Sequence, residues 1–332
     1  MPYSVFQGGR RRRRRRGPAC LALICVLGAA AAVVYVVRPG DADRPARPAP
    51  GVSAPLQGTG TAPLAGGGTA PSPLAVRLEE PGDTVRIRFK HPPRAGLLFD
   101  IDTGRVLWRD DPTRVLPIAS LTKMMTALVV SDRVPKGAKV KITREALRYH
   151  GSGVGLLPRG KWIGVNTMLH GLLLPSGNDA AIALAQRAGG TLPDFVRLMN
   201  ARARRMGLLC SHFTRPDGFQ DRGNHSCAGD LAAMARAVLR VPRLARIVRR
   251  RQAVLPFPVK GGKLYLYNNN PLLRQGYRGI TGLKTGYTDA AGRCLVATVR
   301  RGRLKLGVVL LHSPNPATQA RKLLDRGFRV DR

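Results

Sequence analysis

The most constraining feature of this 332-residue chain is the tetrapeptide Ser120-Leu-Thr-Lys123, which opens a predicted helix. Residues at positions i and i+3 lie on one face of a helix, so the amine can sit beside the hydroxyl. A serine hydroxyl is a weak nucleophile until an adjacent base accepts its proton, and a lysine kept neutral by burial or a nearby cation can be that base. The spacing therefore indicates a nucleophile and its base. The alternative is a helix cap with a solvated lysine.

Two later segments favour the nucleophile interpretation. Ser176-Gly-Asn178 follows an apolar run, and Lys284-Thr-Gly286 follows a second short apolar segment. Each of them alone is typical of an ordinary turn or strand end. Together with the first motif, and in this order, Ser-x-x-Lys, Ser-x-Asn and Lys-Thr-Gly form the motif set of β-lactamases and penicillin-binding proteins.

Residues 84–332 resemble the low-molecular-mass D-alanyl-D-alanine carboxypeptidases of the penicillin-binding protein class. The likeness extends into the flanks of the motifs, over residues 117–126, 174–185 and 282–292. The resemblance implies an α+β fold of the β-lactamase/transpeptidase-like type, with an antiparallel sheet formed from both ends of the domain, flanking helices and a helical subdomain. It also implies removal of the terminal D-alanine from a peptidoglycan stem peptide, without a metal or cofactor, and covalent inhibition by β-lactam antibiotics.

The resemblance gives each residue of the first two motifs a role. Ser120 would be the acylated nucleophile, and Lys123 would take its proton. Ser176 would relay a proton to the leaving amine, while Asn178 would position Lys123 and bond the substrate amide. A second cation nearby, Lys284, would lower the pKa of Lys123 and keep that amine neutral.

The third motif would bind the substrate. Lys284 would supply positive charge near the substrate's C-terminal carboxylate, which Thr285 would also bond. Gly286 would let the strand backbone approach the substrate closely. The oxyanion would lie between the backbone N–H groups of Ser120 and Tyr287.

The chain departs from the family pattern at the start of its last predicted helix. The family resemblance leads one to expect an arginine there, which would bind the substrate carboxylate. Pro316 occupies the place, and Arg321 is one candidate to replace the missing guanidinium.

Three alternative functions stay open. A β-lactamase of class A needs a glutamate that activates the deacylating water, but the three glutamates, Glu79, Glu80 and Glu145, all precede Asn178. A D,D-endopeptidase would use the same residues as a carboxypeptidase. A non-catalytic membrane protein that binds the cell wall or a polyanion would need neither the serine nor the lysine.

The charge of the chain favours anionic partners. With 56 basic and 19 acidic residues the formal net charge is +37, and seven arginines form the run at 10–16. Such an excess suits acidic wall polymers or anionic lipid, although a GC-rich genome gives a similar composition. No nucleic-acid partner is expected, because the sequence holds no recognised nucleic-acid-binding motif.

The N-terminal quarter of the sequence predicts a membrane-anchored protein. Residues 1–18 read as an Arg-rich cytoplasmic tail, and residues 19–37 form an uncharged stretch long enough to span a bilayer. Residues 38–83, rich in Pro, Gly and Ala, read as a disordered linker. Residues 84–332 would then be an extracytoplasmic catalytic domain at the cell membrane. A cleaved signal peptide and a secreted form are the alternative.

The local patterns predict most elements of the domain. In an exporting context a Cys210–Cys227 disulfide is one option. Strands are predicted at 86–90, 96–102, 104–108, 253–259, 263–267, 282–285, 293–300 and 303–311, and a short strand followed by a helix within 140–148. Helices are predicted at 120–131, 166–174, 178–188, 192–206, 226–241 and 317–327.

Overall fold

The computed structural model describes residues 72–80, 83–219, 223–258 and 262–330. Within these ranges, no helix combines the length and apolarity needed to cross a membrane. The predicted tail at 1–18 and the predicted span at 19–37 lie outside the described residues.

The chain alternates short strands with helices before it ends in three long strands and a helix. The strands of the described residues are β1 (Ala95–Asp100), β2 (Val106–Asp110), β3 (Leu116–Pro117), β4 (Lys139–Lys141), β5 (Trp162–Gly164), β6 (His225–Ser226), β7 (Gln252–Pro256), β8 (Lys263–Tyr267), β9 (Ile280–Thr288), β10 (Gly292–Arg301) and β11 (Leu304–Leu311). The helices are α1 (Lys123–Arg133), α2 (Arg144–Leu147), α3 (Val165–Leu173), α4 (Asn178–Gly189), α5 (Leu192–Arg205), α6 (Ala228–Arg240), α7 (Pro242–Val248), α8 (Pro271–Arg274) and α9 (Pro316–Val330).

The central sheet has five antiparallel strands in the order β2-β1-β11-β10-β9. The β1–β2 hairpin turns where predicted: Gly104 has a positive φ, and Asp100 Oδ1 accepts hydrogen bonds from the backbone N–H and hydroxyl of Thr103. Because β1 pairs with β11, the two ends of the domain share one sheet. The predicted α+β fold with a sheet built from both ends is confirmed, and β9 forms one edge of that sheet.

Helices cover both faces of the sheet. Helix α9 buries Leu323 and Phe328 in one cluster with Leu98 and Leu306 of the sheet. Helix α6 packs on the opposite face, against β1 and β11. Helix α4 contacts α1, α2, α3 and α5 and so forms the centre of the helical subdomain. Helix α1, which follows the first motif, is therefore surrounded by packed elements and rigidly held.

The structure corrects one prediction and adds two features. Residues 86–90 form no strand; the backbone N–H of Val85 bonds Leu107 O, and Phe89 packs edge-on against Trp108. The segment therefore lies beside β2 and packs against it through side chains, but it does not add a strand to the sheet. Strands β7 and β8 pair only with each other, outside the central sheet. Helix α7, which the sequence patterns did not predict, begins at Pro242 directly after α6, since proline suits the first helical position.

Residues 72–80, assigned by the sequence to the linker, pack against the folded domain. Val76 is buried in the larger hydrophobic core cluster. The backbones of Arg77 and Arg105 form an isolated parallel β-bridge beside the β1–β2 hairpin. The carbonyl oxygens of Leu74 and Ala75 accept hydrogen bonds from the buried Arg236 of α6. The folded part of the chain therefore begins before residue 84.

The disulfide anticipated for an exported protein is formed. Cys210 and Cys227 are joined, which ties the loop after α5 to the start of α6. Cys294 on β10 is buried among the core side chains.

Candidate active site

The first motif lies in a tight helical turn that leads directly into α1. Residues Ala119–Thr122 form one turn of 3-10 helix, and Lys123 is the first residue of the α-helix. Ala119 has a φ of 46°, a left-handed conformation that non-glycine residues rarely adopt and that is found at functional sites. Ser120 is half-buried and Lys123 fully buried. The predicted pairing of hydroxyl and amine on one helical face is confirmed.

Lys123 Nζ lies at the centre of a small polar cluster. It is 2.8 Å from Ser120 Oγ, 2.6 Å from Asn178 Oδ1 and 2.7 Å from the carbonyl oxygen of Asp217. The amide and carbonyl oxygens can only accept hydrogen bonds. A neutral amine would donate its two N–H groups to these oxygens, which leaves its lone pair for the Ser120 hydroxyl.

Asn178 is held so that its oxygen faces the lysine. Its side-chain Nδ2 donates to the carbonyl oxygen of His150 at 2.5 Å, and its backbone N–H donates to Ser152 O at 2.7 Å. These two bonds fix both the start of α4 and the orientation of the amide. The second motif therefore positions the base of the first.

Ser176 forms a second pair of hydroxyl and amine with Lys284. Lys284 Nζ donates to Ser176 Oγ at 2.9 Å and to Thr285 O at 2.8 Å. Ser176 has a φ of 69° in the turn between α3 and α4. All three motifs thus meet in one buried polar region, as the family resemblance implies.

Burial controls the charge of this region. Desolvation lowers the pKa of Lys284 well below its ordinary value, and the nearby positive charge of Lys123 lowers it further. Both amines are almost completely inaccessible to solvent. The site therefore disfavours a state in which both amines are charged. The lowered pKa is that of Lys284, beside the positive charge of Lys123, whereas the sequence predicted Lys284 to be the cation that acts on Lys123.

Gly286 allows β9 to approach the nucleophile turn. A Cβ atom at this position would lie 2.9 Å from Ile118 O, 3.2 Å from Ala119 Cβ and 3.2 Å from Ser120 N. The backbone of β9 therefore passes next to the Ser120 N–H, one of the two expected oxyanion donors. Tyr287 is the next residue along and is largely exposed at 64%.

The loop at Asp217 contributes a carbonyl oxygen that the sequence analysis missed. Its carboxylate is bonded to Arg215 and to the Phe219 N–H, so the side chain fixes the loop. Gly218 has a φ of 70°, and a Cβ there would be 2.2 Å from Ala119 O. In the sequence, the Asp217-Gly218 pair was the only sign of a tight turn at this place. The carbonyl acceptor itself gave no sign, since every residue type carries one.

Asp179, directly after the second motif, also supports the site. Its buried carboxylate accepts hydrogen bonds from the backbone N–H groups of Val154, Gly155 and Ala180. Burial raises the pKa of Asp179, while these bonds act in the opposite direction. The side chain ties the loop between α2 and β5 to the start of α4.

Comparison with known proteins identifies the family. The profile of peptidase family S11, described as D-alanyl-D-alanine carboxypeptidase, matches residues 86–315. The chain belongs to this family. It is 34% identical to the D-alanyl-D-alanine carboxypeptidase DacB2 of Mycobacterium tuberculosis, over 72% of this chain and 84% of that protein. The D-alanyl-D-alanine carboxypeptidase DacF of Bacillus subtilis is 33% identical over 72% of this chain. The chain spans only 62% of the length of DacF.

Solved structures agree with the assignment. A D-alanyl-D-alanine carboxypeptidase from M. tuberculosis superposes with a TM-score of 0.69 at 33% identity, covering 74% of this chain and 94% of that one. The Streptomyces K15 DD-transpeptidase superposes with the same TM-score at 29% identity, covering 74% and 100%. The expected DD-peptidase fold is thereby confirmed.

Gly286→Ala should impair acylation without unfolding the domain. The added methyl group would push the nucleophile turn away from β9, because two of its three contacts are with backbone atoms. We expect the rate of acylation by benzylpenicillin to fall by about tenfold or more, the loss that a misplaced reacting group causes. Gly137→Ala is the matched control, since a Cβ there meets no atom within 4 Å. Equal acylation rates for the two variants would contradict the contact.

Proposed function

We propose that the protein is a membrane-anchored serine D-alanyl-D-alanine carboxypeptidase. It would remove the terminal D-alanine from peptidoglycan stem peptides through an acyl-enzyme on Ser120. The observation that carries the proposal is the 2.8 Å contact between Lys123 Nζ and Ser120 Oγ inside a buried site. Membership of the family supports the choice of substrate.

The geometry suits an acyl-transfer reaction in two steps. Ser120 Oγ would attack the carbonyl carbon of the scissile D-Ala-D-Ala bond while its proton passes to Lys123. Ser176, held by Lys284, would relay the proton that Lys123 took from Ser120 to the nitrogen of the departing D-alanine as the C–N bond breaks. Water would then cleave the ester. The backbone N–H groups of Ser120 and Tyr287 would stabilise the charge that develops on the oxygen in both steps.

The pKa of Lys284 is lowered, so this amine is not a permanent cation. The substrate carboxylate therefore needs another positively charged side chain. Arg321 is no such group: its guanidinium lies 6.0 Å from the centre of the Tyr277 ring. Arg293 is placed better. It lies directly opposite Tyr287 in the β9–β10 ladder, and side chains at opposed positions share a face.

Thr285 lies on that same face, two residues before Tyr287, because side chains alternate along a strand. Arg293 lines a concavity of about 550 Å³ with Tyr287 and Ser313, and its Nη1 donates to Pro314 O at 3.0 Å. We therefore propose that Arg293 and Thr285 hold the substrate carboxylate in this chain.

The proposed cellular location rests on the N-terminal part of the sequence. Residues 19–37 would anchor the protein by a single span, with the catalytic domain outside the cytoplasm, or would be cleaved to release it. The excess of basic residues would keep the domain close to acidic wall polymers or anionic lipid. D,D-endopeptidase activity on cross-links remains an alternative outcome of the same chemistry.

Ser120→Ala should abolish D-alanine release from a peptide that ends in D-Ala-D-Ala. Removal of a nucleophile typically costs a factor of roughly 10⁴ or more in kcat. Released D-alanine can be measured by a coupled D-amino-acid oxidase assay. Salt-sensitive retention on cell-wall preparations should be unchanged in the variant, because a wall-binding role needs no hydroxyl. Unaltered hydrolysis by Ser120→Ala would refute the mechanism.

Benzylpenicillin should acylate Ser120 and remain bound for many minutes. The three glutamates of the chain precede the second motif, and Glu145 is bonded to Gln186, 2.5 Å away. None is placed like the glutamate that activates deacylating water in class A β-lactamases. Intact-mass analysis should show a persistent mass gain of one drug molecule. Rapid turnover of nitrocefin would instead support the β-lactamase alternative.

Arg293→Gln should weaken substrate binding much more than it slows turnover. Loss of a charge-assisted bond to a carboxylate costs about 1.5–3 kcal/mol, so KM should rise by about tenfold or more with kcat changed less. Arg321→Gln removes an equal charge and serves as the control, with KM unchanged. A rise in KM for Arg321→Gln alone would reverse the assignment.

A further inference from the structure

A second concavity, with a volume of about 390 Å³, lies between α6, α7 and the β10–β11 hairpin. Its size falls in the range of small-ligand sites. Half of its lining residues are cationic: Arg236, Arg240, Arg246, Arg249, Arg300 and Lys305. None of them belongs to the catalytic motifs, so the concavity, called here the arginine cavity, is a separate feature of the domain.

The fold directs these cations towards one space. Arg240 lies in the last turn of α6, and Arg246 and Arg249 lie three residues apart at the end of α7, where such residues share a helix face. Arg300 and Lys305 are directly opposite each other in the β10–β11 ladder. Like charges at such a position destabilise a sheet. The two side chains therefore add two positive charges to the same side of the cavity.

The cavity contains little negative charge of its own. Asp102 is its acidic lining residue, and that carboxylate pairs with Lys305 at 2.9 Å. Among the residues that the structure describes, Arg240, Arg246 and Arg249 form no ion pair. A concave surface lined by one sign of charge concentrates the electrostatic potential.

Arg236 forms the buried wall of the cavity and is already fully engaged. Its guanidinium donates to the carbonyl oxygens of Ile101, Leu74, Ala75 and Asp102. Its charge is not neutralised by any of these bonds. Burial lowers the pKa of Arg236 and the charge of Arg240 lowers it further, while the carboxylates of Asp100 and Asp102 raise it. It therefore adds a fixed positive charge behind the more exposed arginines.

We propose that the arginine cavity binds a phosphate-bearing anion, either a phosphodiester of a wall polymer or a phospholipid headgroup. Several guanidinium groups around one space match the multiple oxygens and high charge of a phosphate group, which arginine bonds in a bidentate manner. A diffuse basic surface, by contrast, would attract polyanions without a preferred position. The proposal does not depend on the catalytic function, because no motif residue lines the cavity.

Binding can be measured on the full-length Ser120→Ala protein in uncharged detergent, so that turnover plays no part. The first probe is a soluble oligomer of glycerol phosphate, and the second is dihexanoylphosphatidylglycerol below its micellar concentration. Calorimetry at about 0.15 M NaCl screens distant charges. The cavity variant is R246E/R249E. The matched control is R204E/R205E, which makes the same charge change at the exposed end of α5.

The cavity variant should bind the preferred probe at least about tenfold more weakly, while the control should differ from the parent by less than about twofold. The Arg-rich tail is present in all three proteins, so the difference between variants reports the cavity. Selective loss with the oligomer identifies a polymer phosphodiester, and selective loss with the lipid probe identifies a headgroup. Equal losses in both variants, or no binding of either probe by the parent, would overturn the proposal. Unchanged acylation by benzylpenicillin, measured with Ser120 restored, would verify that both variants fold.

Discussion

The site depends on the burial of two lysine amines close to each other. Lys123 and Lys284 are both removed from water, and each contacts one hydroxyl. Burial disfavours the charged form of an amine, and a neighbouring cation disfavours it further. Serine chemistry at neutral pH requires a base that is not already protonated. The proposed mechanism therefore depends on the packing that encloses these amines, since neither residue would serve this purpose on an exposed surface.

The fold supplies that enclosure by bringing together three distant segments. Helix α1 packs against α3, α4, α5 and α6, and its first residue, Lys123, is fully buried. The edge strand β9 approaches the nucleophile turn only because Gly286 has no side chain, and the loop at Gly218 does so for the same reason. Close backbone approach at two glycines thus brings these segments together at the nucleophile turn, and β9 stays an edge strand of the sheet.

The sequence predicted the reacting groups better than their supports. The motif residues carry recognisable side chains, and all three motifs meet in the structure. The supporting carbonyl of Asp217 could not be predicted, since every residue has a carbonyl. Arg293 could be placed near Thr285 only once the register of β9 and β10 was known. Pro242 was read as following a helix end because proline suits both the end of one helix and the start of the next.

The most direct test of this account is a titration of the lysine side chains by ¹⁵N NMR, with Lys284 assigned through Lys284→Arg. The account predicts that Nζ of Lys284 loses its proton well below the pH at which surface lysines titrate. It also predicts that Lys123→Met moves this titration upward, since the variant removes the neighbouring cation but keeps the burial. Titration of Lys284 together with the surface lysines in the unmodified protein would contradict the account.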